Sequence, residues 1–478
     1  MNTERVLEIF KEITTVPRES GHEEQIIAWL LEFARKHGLE SKKDEVGNVL
    51  IIREASAGKE DVPTIVLQSH SDMVCEKNAG SDHDFAKDPI PYVIEDGWMV
   101  SHETTLGADC GIGMACALEL LSGNDSTGRL EALFTVSEET GLDGAMALKP
   151  GFFTGKTLIN LDSEDEGQIF VGCAGGLDTT ARFSYSEKNA KAGNVILKLR
   201  ISGCMGGHSG DDINKGRANA VQLLGNILYD LLPTNYGIVR IDGGNKRNAI
   251  AREAFAELAI AEDRVDYALE LIDLFRDNVL EEYGAIETGI RIDSSLDLLQ
   301  EGTRIIDRQS AVRLVTALAA APHGVLAMSQ EIPGFVETST NLASVKMSEP
   351  GVIRIGTSQR SCVTASRREA GRKVEACFVL AGAEVSHESE YPGWAPASKS
   401  AVRDRCVASY RKLFNAEPKV LAIHAGLECG LFTEVYPDLD MISIGPTLRG
   451  VHAPGERLEL ASLDKFTALL TDLVVNFK

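Results

Sequence analysis

The amino-acid sequence predicts an α/β fold in which one discontinuous domain carries a second, inserted domain. Short β-branched and apolar runs alternate with stretches of helical periodicity before residue 180, as is typical of a mostly parallel, mixed sheet flanked by helices. The pattern then changes to alternating, half-exposed strands and long amphipathic helices, and it changes back behind a Pro- and Gly-rich segment at 392–396. We therefore assign residues 1–180 and 389–478 to the discontinuous domain and residues 181–388 to an inserted α+β domain.

The size and composition of the chain limit the classes of protein to consider. A chain of 478 residues is too long for one hydrophobic core and favours two or three domains. The formal net charge of -23 argues against a nucleic-acid partner, which would require a basic surface. The N-terminus lacks the order of a signal peptide and no apolar run is long enough to span a bilayer, so we expect a cytoplasmic protein without a membrane partner. Nine scattered cysteines without CxxC spacing favour reduced thiols over a disulfide framework.

The N-terminal region is predicted to form two helices followed by two strands. Apolar residues at helical spacing predict the first helix over 3–13. Ser20 and Glu23 form a capping-box pattern, which predicts that the second helix opens there. Short β-branched runs predict strands at 49–52 and 64–69.

The next elements complete the predicted parallel sheet. The Gly-rich segment 107–113 introduces an apolar helix and places Asp109 near its positive end. This segment lacks the Lys-Ser/Thr ending of a P-loop and the glycine order of a dinucleotide site, which disfavours a dehydrogenase or a kinase-like enzyme. Strands are predicted at 130–136 and 158–161, and each is followed at once by acidic residues. Ligand sites of such sheets lie at the carboxyl ends of the strands.

Further elements are predicted in both domains. In the inserted domain they are strands within 180–200 and at 237–241 and 253–261, and helices at 216–232, 264–281 and 306–321; in the returning segment they are a helix at 399–414 and strands at 419–423 and 440–444.

Seven polar residues follow predicted strands or open the Gly-rich helix, and they form the candidate site. They are His70, Asp72, Asp109, Glu138, Glu139, Asp162 and His452. Carboxylates gathered at one sheet edge cannot all remain ionised unless a cation lies between them. Two imidazoles and three carboxylates suit a pair of divalent ions, with Zn²⁺ as the expected metal and Mn²⁺ or Co²⁺ as alternatives.

The adjacent Glu138 and Glu139 are expected to have different tasks. In an extended chain they point to opposite sides, so one can bind metal while the other remains free as a general base for a metal-bridging water. Taken singly, each residue has an ordinary explanation, since an Asp before a helix is usually a cap and paired Glu residues usually face solvent. The joint placement of all seven favours a metal site.

The chain resembles the M20 family of dinuclear metallopeptidases, and within it the aminoacyl-histidine dipeptidase (peptidase D, Xaa-His dipeptidase) branch. The matching motifs run the length of the chain: QSHSDMV (68–74), TTLGAD (104–109), EETG (138–141), NLDSE (160–164), GGHSG (206–210), RNAIARE (247–253), HAGLECG (424–430) and IGPT (444–447). The resemblance implies that the discontinuous domain is catalytic, that the insert is a lid/dimerisation domain, and that the chain forms a homodimer through it.

The resemblance also implies a role for each site residue. Asp109 would bridge two metal ions, with His70 and Asp162 completing one site and Glu139 and His452 the other. Asp72 would orient His70, and Glu138 would be the general base. His208, Asn248 and Arg360 would bind the substrate, with His208 at the scissile carbonyl of its own or a partner's site. The implied reaction is hydrolysis of dipeptides of Xaa-His or broader type.

Three alternatives stay open at this point, and one residue departs from the family pattern. The chain is also compatible with another hydrolase on the same scaffold (a tripeptidase or an N-acyl amino-acid deacylase), with a non-catalytic metal-binding relative and, as the disfavoured third, with a dehydrogenase or kinase-like nucleotide enzyme. Cys110 stands where relatives of this branch usually carry Asn. It is expected either to be a small buried residue at a helix start or to lie near the metals as an adventitious ligand or an oxidation-sensitive point.

Overall fold

A computed structural model describes residues 1–477, which form two compact units. Unit 1 comprises residues 1–173, 394–422 and 427–477, and unit 2 comprises 174–393 and 423–426. The predicted boundaries at 180 and 389 fall inside strands of unit 2, because the strands Gly175–Ser184 and Glu384–Tyr391 pair with each other in its sheet.

The helices and strands are numbered in chain order. The α-helices are α1 (Thr3–Ile13), α2 (Glu24–Lys36), α3 (Ala108–Ser122), α4 (Asp143–Met146), α5 (Ala220–Asp230), α6 (Val265–Tyr283), α7 (Arg308–Ala320), α8 (Thr364–Leu380), α9 (Ala401–Phe414), α10 (Glu428–Val435) and α11 (Leu460–Val475). The strands up to residue 173 are β1 (Glu40–Lys43), β2 (Val49–Arg53), β3 (Ile65–His70), β4 (Val93–Glu95), β5 (Trp98–Val100), β6 (Leu130–Thr135), β7 (Thr157–Asn160) and β8 (Gln168–Cys173). Those of the middle of the chain are β9 (Gly175–Ser184), β10 (Glu187–Asn189), β11 (Asn194–Ser202), β12 (Gly207–His208), β13 (Gly237–Gly244), β14 (Ala249–Ile250), β15 (Ala254–Ala261), β16 (Arg291–Leu298), β17 (Arg304–Ile306), β18 (Gly324–Met328), β19 (Val336–Glu349), β20 (Val352–Ser361) and β21 (Glu384–Tyr391). The last strands are β22 (Lys419–Ile423), β23 (Asp440–Ser443), β24 (Leu448–Arg449) and β25 (Arg457–Glu459).

Unit 1 is built on an eight-stranded mixed sheet in the order β1-β2-β6-β3-β7-β23-β8-β22. Its four central strands, β6, β3, β7 and β23, are parallel neighbours, so their carboxyl ends lie at one edge. Every residue of β3, β6 and β7 is buried, which explains why these strands read as continuous apolar runs rather than as alternating ones. Helix α3 is almost wholly buried and packs against β3 and α1. The predicted mixed α/β fold is confirmed.

Unit 2 is α+β, with a nine-stranded antiparallel sheet whose path is β16-β11-β15-β13-β19-β20-β9-β21, and β18 pairs with β19. Helices α5, α6, α7 and α8 bury their apolar faces with this sheet in one hydrophobic cluster. The helix predicted over 216–232 is shorter, because Asn219 caps it and accepts hydrogen bonds from the backbone of Val221 and Gln222.

The capping-box prediction at Ser20 and Glu23 is wrong. Helix α2 begins at Glu24 without a side-chain cap. The Ser20 hydroxyl instead donates to the Asp72 carboxylate at 2.7 Å, and Glu23 accepts from the backbone and hydroxyl of Ser137 at 2.9 Å each. Long-range partners therefore take both side chains away from the helix end that their spacing suggests.

Candidate active site

The predicted site residues of unit 1 gather at the carboxyl edge of the parallel strands. His70 is the last residue of β3, and the turn with Glu138 and Glu139 follows β6. Asp162 follows β7 by two residues, and Asp109 lies in the first turn of α3. His452 comes from the segment between β24 and β25, where its φ of 62° is left-handed.

One half of the site joins His70 to two carboxylates. His70 Nε2 lies 3.0 Å from Asp109 Oδ1 and 3.2 Å from Asp162 Oδ1. Burial lowers the pKa of His70, but the carboxylates of Asp162, Asp109 and Asp72 outweigh it and hold the pKa well above its usual value. Burial raises the pKa of Asp162 to about 6.

The other half joins His452 to the second oxygen of the same Asp109. His452 Nε2 lies 3.0 Å from Asp109 Oδ2 and 3.0 Å from Glu139 Oε2. Hydrogen bonds with Asp109 and Glu139 raise the pKa of His452 to about 11. Burial raises the pKa of Asp109, but both imidazoles outweigh it and hold the pKa well below its usual value. Asp109 therefore links two clusters, each made of one imidazole and one further carboxylate.

These donor atoms fit a pair of divalent ions. Tetrahedral bonds of about 2.0 Å from N and O ligands place neighbouring ligand atoms about 3.3 Å apart, close to the observed separations of 3.0 to 3.2 Å. Asp162 Oδ1 and Glu139 Oε1 are buried atoms without a hydrogen-bond partner. Such atoms are costly to bury unless a cation satisfies them. His70 and Asp162 would hold one ion, Glu139 and His452 the other, and Asp109 both.

Asp72 is fully buried and ties the His70 ring to the following turn. Its Oδ1 lies 3.4 Å from His70 Nδ1, on the side of the ring away from the carboxylate cluster. The backbone N–H groups of Glu138 and Glu139 donate to Oδ1 and Oδ2 at 3.1 and 3.2 Å. Because these two residues lie in a turn, the extended-chain argument for their separation is wrong; the turn backbone, fixed by Asp72, sets where each carboxylate lies.

Two buried charges hold the loop that carries Asp109. The Glu456 carboxylate accepts from the backbone N–H groups of residues 106–109, at 2.7, 3.0, 2.8 and 3.3 Å. The Arg18 guanidinium donates to the carbonyl oxygens of Asp72, at 2.7 Å, and of Gly107. Neither residue could be found from the sequence, since neither lies in a motif that carries a recognisable signal.

Glu428 is a further buried acid that the sequence argument did not single out. Its Oε2 accepts from Gln68 Nε2 at 2.6 Å and from Thr135 Oγ1 at 2.9 Å. Burial raises the pKa of Glu428 to about 7. Burial also raises the pKa of Glu138 well above its usual value; His70 opposes this shift, while Asp162 and Glu428 add to it. A buried carboxyl group with a raised pKa suits a residue that takes up and returns a proton.

Comparison with known proteins identifies the family. The profile of Peptidase family M20/M25/M40 matches residues 66–476, which include the seven predicted site residues from His70 to His452. The chain belongs to this family.

Two relatives match this M20 peptidase over nearly its whole length. It is 39% identical over 469 residues to the cytosol non-specific dipeptidase of Escherichia coli, covering 98% of this chain and 96% of that protein. The crystal structure of aminoacylhistidine dipeptidase from Vibrio alginolyticus superposes with a TM-score of 0.93 at 36% identity, covering 99% and 96% of the two chains. Aminopeptidase PepT from Bacillus cereus, with a TM-score of 0.63 and 18% identity over 100% and 99% of the chains, shares the fold.

The three predicted substrate-binding residues of this M20 peptidase all lie in unit 2. His208 is half-exposed in β12, where the backbone N–H of Asp211 donates to its Nδ1 at 3.2 Å. Asn248 is exposed in the turn before β14. Arg360 is buried in β20; its Nη1 donates to the Tyr391 hydroxyl at 3.3 Å, and its Nε has no hydrogen-bond partner.

His424 is a buried residue of unit 2 that the sequence argument placed in a motif but gave no role. Its Nε2 lies 2.7 Å from Ser339 Oγ, and its Nδ1 is buried without a partner. Burial lowers the pKa of His424 to about 4, and the positive charge of Arg360 adds to this. His424 is therefore neutral at physiological pH and suited to hydrogen bonding.

Proposed function

We propose that this M20 peptidase is a metal-dependent dipeptidase. The observation that carries the proposal is the pair of imidazole–carboxylate clusters that share Asp109, one oxygen to each. The overall likeness to two dipeptidases, at 39% and 36% identity over nearly the full length, supports the choice of substrate class.

We assign the two metal ions to the ligands set out above, with Zn²⁺ as the expected ion and Mn²⁺ or Co²⁺ as alternatives. When bound, such ions polarise a scissile carbonyl and lower the pKa of a water molecule. The protein supplies the geometry. Asp109 sets the spacing of the two clusters, and Asp72 fixes the position of the His70 ring relative to the turn of Glu138 and Glu139.

Glu138 is the proposed general base and then general acid. It takes the proton of the attacking water and returns it to the nitrogen of the leaving amine as the peptide bond breaks. Its raised pKa suits the first step, because a carboxylate with an ordinary pKa would be a weaker base, and it lets the carboxyl group keep the proton until the amine leaves.

In unit 2, Arg360 is the proposed partner of the substrate carboxylate, since its buried guanidinium keeps an unused Nε donor. His208 and Asn248 are proposed to bind substrate carbonyl oxygens.

The family resemblance further supports a homodimer through unit 2, which light scattering of the purified chain would test. A cytoplasmic location is proposed from the cytosolic relative. No helix within residues 1–477 is both long and apolar enough to cross a membrane.

A substrate panel on metal-free and reloaded enzyme tests the function. The chain is stripped with a chelator, reloaded with Zn²⁺, Mn²⁺ or Co²⁺, and assayed on β-Ala-His and other dipeptides, on tripeptides and on N-acetylated amino acids. We expect cleavage of dipeptides by the reloaded enzyme alone. Faster cleavage of tripeptides or of N-acetylated amino acids would assign the chain to a tripeptidase or a deacylase. Metal binding without any hydrolysis would make it a non-catalytic relative.

A further inference from the structure

We propose that the Cys110 thiol is a ligand in the His70–Asp162 half of the metal site, and that it biases this half towards thiophilic ions. The proposal deepens the metal dependence of the proposed function and rests on it. Cys110 follows the shared ligand Asp109 directly in the chain.

The first observation is the position of the sulfur. His70, Cys110 and Asp162 each offer one ligand atom, and these atoms all lie within 4.8 Å of one another. Zinc bonds of 2.3 Å to sulfur and about 2.0 Å to nitrogen or oxygen place such atoms about 3.5 Å apart in a tetrahedral site. Since 4.8 Å is an upper limit, the sulfur lies at most about 1.3 Å beyond this separation, a difference that a side-chain rotation can cover.

The second observation is an unpartnered oxygen in the same cluster. Asp162 Oδ1 has no hydrogen-bond partner, although the Asp162 side chain is only 9% exposed. It therefore points to a cation beside these side chains. The Cys110 sulfur lies in the same cluster of ligand atoms as this oxygen, so the sulfur already faces the ligand set.

The Cys110 side chain is buried, and its sulfur lies close to Gly113 and to the Leu161 carbonyl oxygen. The residue is 1% exposed, and its thiol donates to the Leu161 carbonyl oxygen at 3.4 Å. Gly113, one helical turn later, leaves the necessary space, because a Cβ there would lie 2.7 Å from the sulfur. Cys110 therefore differs from a cysteine that only fills space, because its sulfur lies in one cluster with the proposed ligands His70 and Asp162.

Coordination of the Cys110 sulfur would replace its S–H bond by a sulfur–metal bond and release the proton to solvent. Thiolate ligands favour Zn²⁺ and the softer Cd²⁺ over Mn²⁺, which prefers oxygen.

The test is the absorption spectrum of the full chain loaded with Co²⁺, measured without substrate. We expect a near-ultraviolet sulfur-to-cobalt charge-transfer band that is absent from Cys110→Ser and Cys110→Asn. The matched control is Cys116→Ser, on the same helix, where an equally buried thiol (0% exposed) lies outside the cluster. The control should keep the band.

Competition between Cd²⁺ and Mn²⁺ gives a second measurement. Wild-type protein should prefer Cd²⁺ by about tenfold more than Cys110→Ser does, a change typical of altering the surroundings of a metal. A band of equal strength in Cys110→Ser, no band in wild-type protein, or an unchanged Cd²⁺/Mn²⁺ preference would overturn the proposal. Loss of the band in Cys116→Ser would do so too, since the signal would then report a disturbed helix.

These measurements separate the proposal from the proposed function. A chain that shows the thiolate band but cleaves no dipeptide contradicts the function and supports the ligand. Thermal unfolding of each variant shows whether it folds, and two different replacements at position 110 guard against an unstable one.

Discussion

Asp72→Asn tests the idea that one buried carboxylate positions both a metal ligand and the general base. Asp72 Oδ1 faces His70 Nδ1 and accepts from the backbone of Glu138, while Oδ2 accepts from the backbone of Glu139 and from Ser20. An amide of the same shape has only one acceptor oxygen. Its NH₂ group must therefore face a backbone N–H donor at one of the two positions, whichever way the side chain is turned.

The magnitude follows from the pKa of Asp72 and from the lost hydrogen bonds. Burial raises this pKa, but His70, Ser20 and the Glu138 N–H outweigh it and lower it from 3.8 to about 2. That difference corresponds to about 2 kcal/mol of stability, present above pH 3.8 and lost as the pH falls through about 2. The unmet N–H donor adds about 1 kcal/mol or more, so the variant should lose about 3 kcal/mol at neutral pH.

The effect on turnover should be larger than a structural effect alone. Replacing the carboxylate that orients a metal-binding imidazole typically costs 10- to 100-fold in metal affinity or activity. Displacement of Glu138 adds to this, so kcat/KM should fall by about 100-fold, equivalent to about 3 kcal/mol. Urea unfolding, elemental analysis after dialysis, and dipeptide kinetics at saturating metal measure the three effects.

Ser20→Ala is the matched control for Asp72→Asn. It removes one hydrogen bond to Oδ2 and keeps the negative charge, so it should cost about 1 kcal/mol of stability and leave metal content unchanged. Wild-type turnover and full metal content in Asp72→Asn would refute the positioning role.

Four further predictions concern other parts of the molecule. Glu138→Ala should keep both metals and lose turnover by about 10²- to 10⁴-fold. Asp109→Ala should lose both metals, because each cluster uses one of its oxygens. Glu456→Gln should lower the free energy of unfolding by about 2 kcal/mol, since an amide cannot accept from all the N–H groups of residues 106–109. Burial lowers the pKa of His424 from 6.5 to about 4, so between about pH 7 and pH 5 the unfolded chain binds a proton at this residue and the folded chain does not; this should cost about 2 kcal/mol of stability, and His424→Gln should reduce the loss in urea titrations.

Each of these has an outcome that would count against it. Near-normal turnover in Glu138→Ala would remove its role as the base, and unchanged metal by elemental analysis in Asp109→Ala would remove the shared ligand. Unfolding of Glu456→Gln at the wild-type urea midpoint would show that the loop does not depend on this carboxylate. An equal loss of stability at low pH in His424→Gln would assign that loss to other groups.

The parallel strands could be predicted because strands that are buried on both faces consist mainly of apolar residues. Strands β3, β6 and β7 are buried on both faces, so each gives a short apolar run, and a polar residue after each run marks the carboxyl edge. His70 and Asp162 were found in this way from the sequence alone.

The boundary between the units could not be read from the same signals. Strands β9 and β21 belong to the sheet of unit 2, and they span the predicted boundaries at 180 and 389. Their pairing joins positions about two hundred residues apart. A strand pairing of this kind leaves no local mark in the sequence. The change in hydrophobic pattern therefore appears several residues inside the ends of the long segment of unit 2, 174–393.

The second set of failures shares a different cause. Ser20 has the spacing of a helix cap, yet its hydroxyl binds Asp72, 52 residues away. Glu456 is 347 residues from Asp109, and its carboxylate accepts a hydrogen bond from the backbone N–H of Asp109. A sequence pattern such as a capping box predicts a hydrogen-bond partner a few residues away. The prediction fails where a buried charged group far along the chain is the stronger hydrogen-bond partner.

Gly107 shows how these distant charges set the position of a ligand. Its N–H donates to Glu456 at 3.0 Å while its carbonyl oxygen accepts from Arg18, so one residue is held by opposite charges. Its φ of 67° is left-handed, and a Cβ there would lie 2.8 Å from the sulfur of Met73. Only glycine meets both conditions without strain. Asp109 lies two residues further on, so a charge pair drawn from opposite ends of the chain fixes the carboxylate that both clusters share.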